Sequence, residues 1–487
     1  MKRTASPAAS KLVRWFAILV LLGTYAPMLA AAPSTPPKYG GVLRVQMQDL
    51  VASMDPRQLH SAPMQSAAAE RVDSLIFERL ARFDDHGAAQ PALAVSWEHD
   101  AQSKRWQFAL RQRVKFSDGS PLTPEAAALA LQQLLGNSFD VSATSDSVVI
   151  LADHSVPDLP AMLAAGDYFI FHPAEDGSLA GTGPFRVAQW PAAAPTAKII
   201  LMANETCWAG RSFVDKIEIT MAVDHQQQAN AIAFGQAEIV ELPASEVRRA
   251  AQRGVRTASS DPLELYALQL DTTRPSVQDV RIRQAISLSI DRASIADVIL
   301  QRQAVVAGSL LPNWLSGYAH LFPIATDLAR AKELLIATHR ELSHPAPVVL
   351  IYDSGDEESR AVADRVAVNL KDVGIAVQVS AQPTAGKKIP ADIRLVRRRI
   401  TTPDLTMALT DILNSLGETA ATMENPDQIY EAERAPIDAF RIIPLAHVSE
   451  SYGLSPQVRD WMAPRWGGWR LEDVWLGVVP PSTGAAR

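Results

Sequence analysis

The residue types that most often carry catalysis or hold metal ions are scattered in this sequence. Among ten histidines, His339 and His344 stand five positions apart, off the helical spacing that a shared metal ion needs, and the pattern His-Glu-x-x-His is absent. Cys207 is the only cysteine, so neither a thiolate zinc cluster nor an intrachain disulfide is available. No Gly-x-Ser-x-Gly elbow occurs, and no serine stands three residues before a lysine. We therefore predict a protein with no catalytic residues, no metal site and no cofactor.

One glycine-rich turn has part of a nucleotide-binding pattern. Gly181-Thr182-Gly183 lacks the third glycine of a dinucleotide loop, and Phe185 after it opens a strand rather than a helix. The glycine-rich loop with lysine that cradles ATP phosphates is also absent. A structural turn is therefore the preferred interpretation of these glycines.

The framework that positions such side chains is predicted to be α/β. The 487 residues, 47% of them hydrophobic, are enough for two or three domains. Residues 114–131 read as a strand, a tight turn and a helix with Thr123 at its N-cap. A strand at 348–352, an amphipathic helix at 356–372 and a strand at 375–379 form a strand–helix–strand unit.

The N-terminal residues 1–32 have the pattern of a cleaved secretory signal peptide. Basic residues precede an apolar run at 15–23, and small residues follow at 29–32. The run is much shorter than the roughly 20 residues that span a bilayer, which argues against a membrane anchor. No cysteine follows the run directly, so a lipid-modified N-terminus is not predicted.

The charge excludes one large class of partners. Residues 1–32 hold four basic and no acidic residues, so their removal changes the net charge from −7 to −11. An acidic protein is poorly suited to nucleic acid, whose binding rests on Lys and Arg at phosphates. The sequence therefore predicts a periplasmic protein without a nucleic-acid partner.

Ten segments, in order along the chain, resemble family 5 of the solute-binding proteins of ABC importers, which carry oligopeptides, dipeptides and nickel. The segments are YGGVLRV at Tyr39, SMDP at Ser53, SLIFERLARFD at Ser74, PALAVSWE at Pro91, WQFALRQRVKFSDGSPLTPEAAALAL at Trp106, GTGPFRV at Gly181, NETCWAGRSFVDKIEI at Asn204, LQLDTTRPSVQDVRIRQAISLSIDR at Leu268, DLARAKELL at Asp327 and IIPLAHVSESYGLSP at Ile442. Each segment alone is weak, but their common order covers nearly the whole chain beyond the signal peptide.

The resemblance implies an α/β fold of the periplasmic-binding-protein type (class II, cluster C). Such proteins have two lobes joined by two crossover segments, with a third domain inserted in the N-terminal half. We expect lobe I at 33–60, 178–268 and 448–487, the inserted domain II at 61–177, and lobe III at 269–447. The ligand is expected in the cleft between the lobes, which close by a hinge.

The sequence departs from its family where peptide-binding members fix the ligand's amino group. Those members use an aspartate that follows a Gly-Trp pair and lies a few residues before a proline. The corresponding stretch, ADIRLVRRRITTPDLTMAL from Ala391 to Leu409, has no Gly-Trp pair. Counting back from Pro403 puts Arg399 near the aspartate position, although gaps could bring Asp404 there. Recognition of an amine is therefore in doubt.

Three arginines stand where the family's aspartate is expected. Arg397, Arg398 and Arg399 offer planar forks that pair with a carboxylate or a phosphate. The alternative is that they form the solvated, basic end of a strand. We keep all three as candidate ligand-binding residues.

Four further positions are candidates by the resemblance. His60 and Ser61 lie just past the SMDP segment, where family members touch ligand. Tyr266 and Gln269 lie on the expected first crossover. An ordinary surface or core role is the alternative for each.

Together these features predict a periplasmic, monomeric receptor of an ABC importer, with a peptide or other small molecule as ligand. Its partners would be the membrane permease and the ATPase subunits. Two alternatives stay open. The cargo could be an acidic metabolite, an oligosaccharide or a metal chelate, or the chain could be a sensor-type binding protein without transport.

Overall fold

The structure is a computed structural model that describes residues 36–60, 67–175, 177–191, 197–339, 347–383, 389–420, 423, 425–466 and 468–478. The predicted signal peptide and the candidate Ser61 lie outside the described residues. The described residues from Lys38 onward belong to one compact unit. Among the helices that can be described, none has both the length and the apolar character that a bilayer crossing requires.

Strands are numbered along the chain, within the described residues. They are β1 (Val42–Gln46), β2 (Ala81–Phe83), β3 (Ala89–Pro91), β4 (Ala94–His99), β5 (Arg105–Leu110), β6 (Phe139–Ala143), β7 (Ser147–Ala152), β8 (His172–Pro173), β9 (Leu179–Ala180), β10 (Phe185–Gln189), β11 (Lys198–Ala203), β12 (Lys216–Thr220), β13 (Ile239–Leu242), β14 (Arg256–Leu270), β15 (Ala304–Val306), β16 (Val348–Asp353), β17 (Val377–Gln382), β18 (Ile393–Arg399), β19 (Ile442–Leu454), β20 (Val458–Arg459) and β21 (Trp475–Leu476).

Helices are numbered in the same way. They are α1 (Pro56–His60), α2 (Ala67–Ile76), α3 (Pro124–Leu135), α4 (Leu159–Ala165), α5 (His225–Ala233), α6 (Ala244–Gln252), α7 (Val280–Ser289), α8 (Arg292–Ser294), α9 (Asn313–Ser316), α10 (Leu328–His339), α11 (Glu357–Asp372), α12 (Leu405–Ser415) and α13 (Pro426–Asp438). A π-helical turn, Ile295–Ile299, follows α8, and a 3-10 turn, Ala319–Leu321, follows α9.

One large mixed sheet runs through the molecule. Its strand order is β10, β11, β12, β1, β13, β19, β14, β18, β16 and β17, with β15 added to β19. The strands up to β13 come from the N-terminal half of the chain, and β16 to β18 come from the C-terminal half. A separate sheet of β4, β5, β7 and β6 is built from residues 94–152.

The two halves are joined by the long strands β14 and β19. These strands pair with each other from Arg256 opposite Leu454 to Gln269 opposite Ile442. The chain passes from the first half to the second through β14 and returns through β19. The predicted α/β fold is confirmed, whereas the lobe boundaries given above stay a prediction.

The apolar core is divided at this crossing. Tyr452 and Leu454 of β19 belong to a core built mainly from residues before 240, whereas Ala446 and Val448 belong to a core built from residues 244–448. Glu450 stands at the change from one core to the other, where it is 5% exposed. The centre of the sheet is therefore the place where buried polar groups meet.

Local predictions from the sequence hold at several joints. Thr123 caps α3 by accepting a hydrogen bond from the Ala126 amide at 3.2 Å. The unit β16–α11–β17 is formed with its two strands parallel. Gly181 and Gly183 make a turn before β10, and a Cβ on Gly181 would overlap the carbonyl oxygen of Ile76. These glycines thus allow the chain to pack against the end of α2.

Candidate ligand-binding site

Charged side chains gather on one face of the sheet where β14, β18 and β19 lie beside α2. On β18, Arg397 and Arg399 share the face of Leu395, whereas Arg398 shares the opposite face with Val396, as strand periodicity requires. We call this group the polar seam. Its members are Glu70, Arg71, Arg79, Glu241, Glu264, Tyr266, Asp356, Glu358, Arg397, Arg399 and Glu450.

Glu450 is the centre of one half of the seam. Its carboxylate lies 2.5 Å from Arg399 Nε and 3.1 Å from Arg71 Nη2. Although burial opposes ionisation of Glu450, the adjacent guanidiniums of Arg399 and Arg71 lower its pKa to about 2. Arg71 also lies 2.5 Å from Glu241, and Arg399 Nη1 lies 3.3 Å from Glu70. This half is a continuous chain of buried charges.

Arg397 is the centre of the other half. Its Nε donates to Glu264 at 2.8 Å, and its Nη1 lies 3.4 Å from Asp356 and 3.6 Å from Glu358. The guanidinium also lies over the ring of Tyr266, which is directly opposite it in the β14–β18 register. The Arg397 side chain is 32% exposed, so solvent reaches the seam at this point.

The N-terminus of α11 completes this half. Asp356 is the N-cap, and its Oδ1 accepts from the amides of Glu358 and Ser359. Its Oδ2 accepts a hydrogen bond from the Tyr266 hydroxyl at 3.1 Å. Burial opposes ionisation of Asp356, but the charge of Arg397 and these hydrogen bonds keep its pKa below the ordinary value. Asp356 and Arg397 thus hold each other's side chains in place.

Helix α2 brings charge into an otherwise apolar environment. Ala68, Val72 and Leu75 are fully buried, as expected for a helix that is surrounded by protein. Glu70 and Arg71 are nevertheless 8% and 7% exposed. Burying ions costs free energy that pairing only partly returns, so a seam of this size indicates a role beyond stability.

The structure separates the sequence-predicted candidates. Tyr266, Arg397 and Arg399 come together in the seam. Arg398 lies on the opposite face of β18, and Gln269 donates its Nε2 hydrogen bond to the Leu416 carbonyl at 2.5 Å.

The remaining two candidates are His60 and Ser61. His60 ends α1, but its side chain lies outside the described residues, as does all of Ser61. The alternative interpretation of the three arginines was that they form the solvated, basic end of a strand. This interpretation is wrong for Arg399, because its side chain is only 9% exposed.

Most of the carboxylates in the seam were missed from the sequence. Glu70, Glu241, Glu264 and Glu450 come from four separate segments, and nothing local marks them as partners of arginine. Helix α2 carried no such signal either, because Glu70, Arg71 and Asp73 fall on one face and Val72 and Leu75 on the opposite face, which in sequence is the pattern of an amphipathic helix with a solvated side.

Two cavities lie beside the segment that follows α2 and reach the C-terminal segment, the first also lined by the loop at 204–213 and the second by Ser74 of α2. One has a volume of about 200 Å³ and the other of about 150 Å³. Both are lined by Glu78, Arg82 and Glu472. Trp208 lines the first cavity and donates its Nε1 hydrogen bond to Glu78 at 2.9 Å.

The fold, with its two long crossing strands, is of the periplasmic-binding-protein type. The nickel-binding protein NikA of Brucella suis, solved in complex with Fe(III)-EDTA, superposes with a TM-score of 0.76 at 18% identity over 90% of this chain and 100% of that chain. At this identity the likeness concerns the fold alone.

Sequence comparison then gives the family. A model of the bacterial extracellular solute-binding proteins, family 5, matches residues 88–426, and the chain belongs to this family. Members of this family bind solutes and are not enzymes.

Among curated relatives, the nickel-binding periplasmic protein of Escherichia coli is 25% identical over 353 residues, covering 63% of this chain and 66% of that protein. The probable deoxycholate-binding periplasmic protein YgiS of Escherichia coli is 27% identical over 399 residues, covering 71% and 72%. The chain thus spans just under two thirds of the first of these relatives.

Proposed function

We propose that this chain is the periplasmic receptor of an ABC importer, and that it binds a short peptide between its two halves. The receptor delivers the peptide to a membrane permease, and ATP hydrolysis belongs to a separate subunit. The signal peptide at 1–32 directs export, and the mature chain acts as a soluble monomer. Lobe I, the inserted domain II and lobe III have the boundaries predicted above, with β14 and β19 as the hinge.

The observation that carries this proposal is a set of contacts between distant halves of the chain. Arg399 on β18 pairs with Glu70 on α2, and both side chains are 9% exposed. Gln48 Nε2 donates to the Gly355 carbonyl at 2.7 Å, and the Ser245 amide donates to Glu358 at 2.9 Å.

Contacts of this kind exist only when the halves are together, so they mark a closed form. A ligand that adds contacts to both halves shifts the population toward that form. The seam supports this assignment because it lies at the crossing strands, where the two halves of the chain meet, and because solvent still reaches Arg397 there.

A thermal-shift screen tests the proposal. The mature protein is melted with dipeptides to pentapeptides, each with a free or an acetylated N-terminus, and hits are confirmed by calorimetry. We expect saturable stabilisation by at least one peptide class, because a ligand that binds only the folded state raises its stability. Absence of any stabilisation across the panel contradicts a peptide cargo.

A metal chelate is the second candidate, favoured by the similarity to the nickel-binding relative. The same screen includes nickel with and without histidine. Stabilisation by the complex, but not by any peptide, assigns the chain to chelate uptake instead. Replacement of Arg397 by Met weakens binding of either ligand class if that ligand occupies the seam.

A further inference from the structure

The two cavities beside the segment that follows α2 share one wall. The residues that line both of them are Glu78, Arg82, Ala92, Pro184 and Glu472. None of the described residues of the second half, 269–447, lines either cavity. The cavities are therefore distinct from a cargo site that both halves of the chain form together.

The second cavity is rich in aromatic residues. Five of the residues that line it are aromatic, namely Phe77, Phe83, Phe169, Trp466 and Trp469. Its volume is about 150 Å³, which is the size at which an apolar cavity in a protein holds a molecule of benzene. A single aromatic ring therefore matches this cavity in both size and character.

Arg82 supplies a free positive charge in the shared wall. The residue is exposed, and among the described residues its guanidinium has no ion pair and no hydrogen bond. The other three arginines that line the cavities each have a carboxylate partner, and the pairs are Arg79 with Glu70, Arg211 with Glu205, and Arg470 with Glu472. Because a guanidinium offers a planar fork of donors, Arg82 is suited to a carboxylate from outside the chain.

The acidic residues of the shared wall do not block such an anion. Glu472 is held by Arg470, and Glu78 accepts a hydrogen bond from Trp208 Nε1 at 2.9 Å. Burial raises the pKa of Glu78 to about 7, although the hydrogen bond from Trp208 and the charge of Arg82 oppose this shift. Glu78 is therefore partly protonated at neutral pH and repels an anion less than an ordinary glutamate does.

We propose that the second cavity holds the ring of a small aromatic carboxylate and that Arg82 pairs with the carboxylate group of this ligand. The site is formed by the first half and the C-terminal segment, so the inference goes beyond the function proposed above and does not depend on it. A carboxylate suits the wall better than a phosphate, because Glu78 and Glu472 oppose a second negative charge. A bidentate pair with Arg82 fixes the ligand with its ring toward the aromatic residues.

Ligand-observed NMR titration with three small probes tests this, because it detects weak as well as tight binding. Phenylacetate has both the ring and the charge, phenylacetamide has the ring alone, and acetate has the charge alone. We expect phenylacetate to bind roughly tenfold or more tightly than either of the others, because only phenylacetate fills the cavity and also makes charge-assisted hydrogen bonds to Arg82.

Three variants assign the effect to Arg82. Arg82→Met removes the guanidinium from an exposed position and is expected to lower the affinity for phenylacetate to that for phenylacetamide. Arg82→Lys keeps the charge without the fork and should bind phenylacetate with intermediate affinity. Arg248→Met is the matched control, because Arg248 is also exposed but lines neither cavity, and it should leave the affinity unchanged. Thermal melts without ligand show that each variant is folded.

The contrary outcomes are distinct. Absence of phenylacetate binding, or equal affinity for phenylacetate and phenylacetamide, overturns the proposed site. Unchanged affinity in folded Arg82→Met, or an equal loss in Arg248→Met, overturns the role of Arg82. Competitive displacement of phenylacetate by a peptide from the larger screen places the probe in the cargo site and overturns a second site while leaving peptide uptake intact. Failure of every peptide in that screen overturns the proposed function alone.

Discussion

Arg399 Nη1 lies 3.3 Å from Glu70 Oε2, and this ion pair joins β18 to α2 across 329 positions of sequence. Glu70 in turn binds Arg79, and Arg399 binds Glu450, so the pair connects Arg79 to Glu450 within one half of the polar seam. Because both side chains are largely buried, neither can exchange its partner for water without opening the structure. The pair is thus a direct reporter of the contact between the halves.

Glu70→Gln is expected to destabilise the protein. The substitution leaves Arg79 without its carboxylate partner, whereas Arg399 keeps Glu450, and removing one side of a buried ion pair costs about 3–5 kcal/mol. Denaturant unfolding measures the change, and the surface pair of Arg330 and Glu333 supplies the control. Glu333→Gln should change the free energy of unfolding by about 0.5 kcal/mol or less. Equal effects of the two substitutions contradict the burial of the seam.

Tyr266→Phe tests the hydrogen bonds within the seam while keeping the ring. The hydroxyl of Tyr266 donates to Asp356 and accepts from Arg397. Its loss leaves buried polar groups without a partner and costs roughly 1–3 kcal/mol. Tyr430→Phe is the control, because no hydrogen bond of its hydroxyl is seen among the described residues. Unfolding in urea should distinguish the two, and an unchanged midpoint for Tyr266→Phe argues against the network.

Asp167 is expected to make the stability of the protein depend on pH. Its pKa in the folded state, about 7, exceeds that of an unfolded aspartate, so the folded state holds the proton more tightly. Its contribution is therefore present below about pH 4 and is lost as the pH rises toward and through 7, with a total on the order of 4 kcal/mol. The charged or titratable groups around it are Arg79, Glu70, Asp73 and Tyr168.

Thermal melts of wild type and Asp167→Asn between about pH 4 and 8 measure this contribution. The difference in stability between the two proteins at each pH reports on Asp167, whereas each melting curve alone does not, because burial also raises the pKa of Glu78 and Glu433 to about 7. The variant should gain stability over the wild type as the pH rises. A constant difference across the range shows that Asp167 does not titrate there.

Gly181→Ala should disturb the position of α2. A side chain at Gly181 overlaps the backbone of Ile76, so the end of the helix has to move, at a cost of roughly 1–3 kcal/mol or more. Gly136→Ala is the control, since nothing lies near that position and only its positive φ of 72° resists substitution. Calorimetric melting temperatures compare them. A smaller loss for Gly181→Ala than for Gly136→Ala contradicts the close packing.

The helices, strands and turns are predicted well from the sequence because each is determined by residues close together in the chain. The cap at Thr123 and the unit β16–α11–β17 each follow from residues a few positions apart. The order of the family segments then adds the arrangement of these units. What such patterns do not contain is the pairing of β14 with β19, which is set by the folded register.

The site is less predictable for the same reason. Three adjacent arginines are visible in the sequence, but strand periodicity places Arg398 apart from its neighbours. Whether Arg399 faces water, a ligand or Glu70 depends on a partner 329 positions away. Arg82 looks ordinary in sequence, and only the cavities that it lines make it informative.

Small-angle X-ray scattering of the mature protein tests the central claim most directly, with and without a peptide that the screen identifies. We predict that the ligand-saturated protein matches the closed arrangement described above, and that the free protein, or Glu70→Gln without ligand, has a larger radius of gyration. Identical scattering in all three samples, with no peptide altering the profile, would contradict a receptor that closes on its cargo.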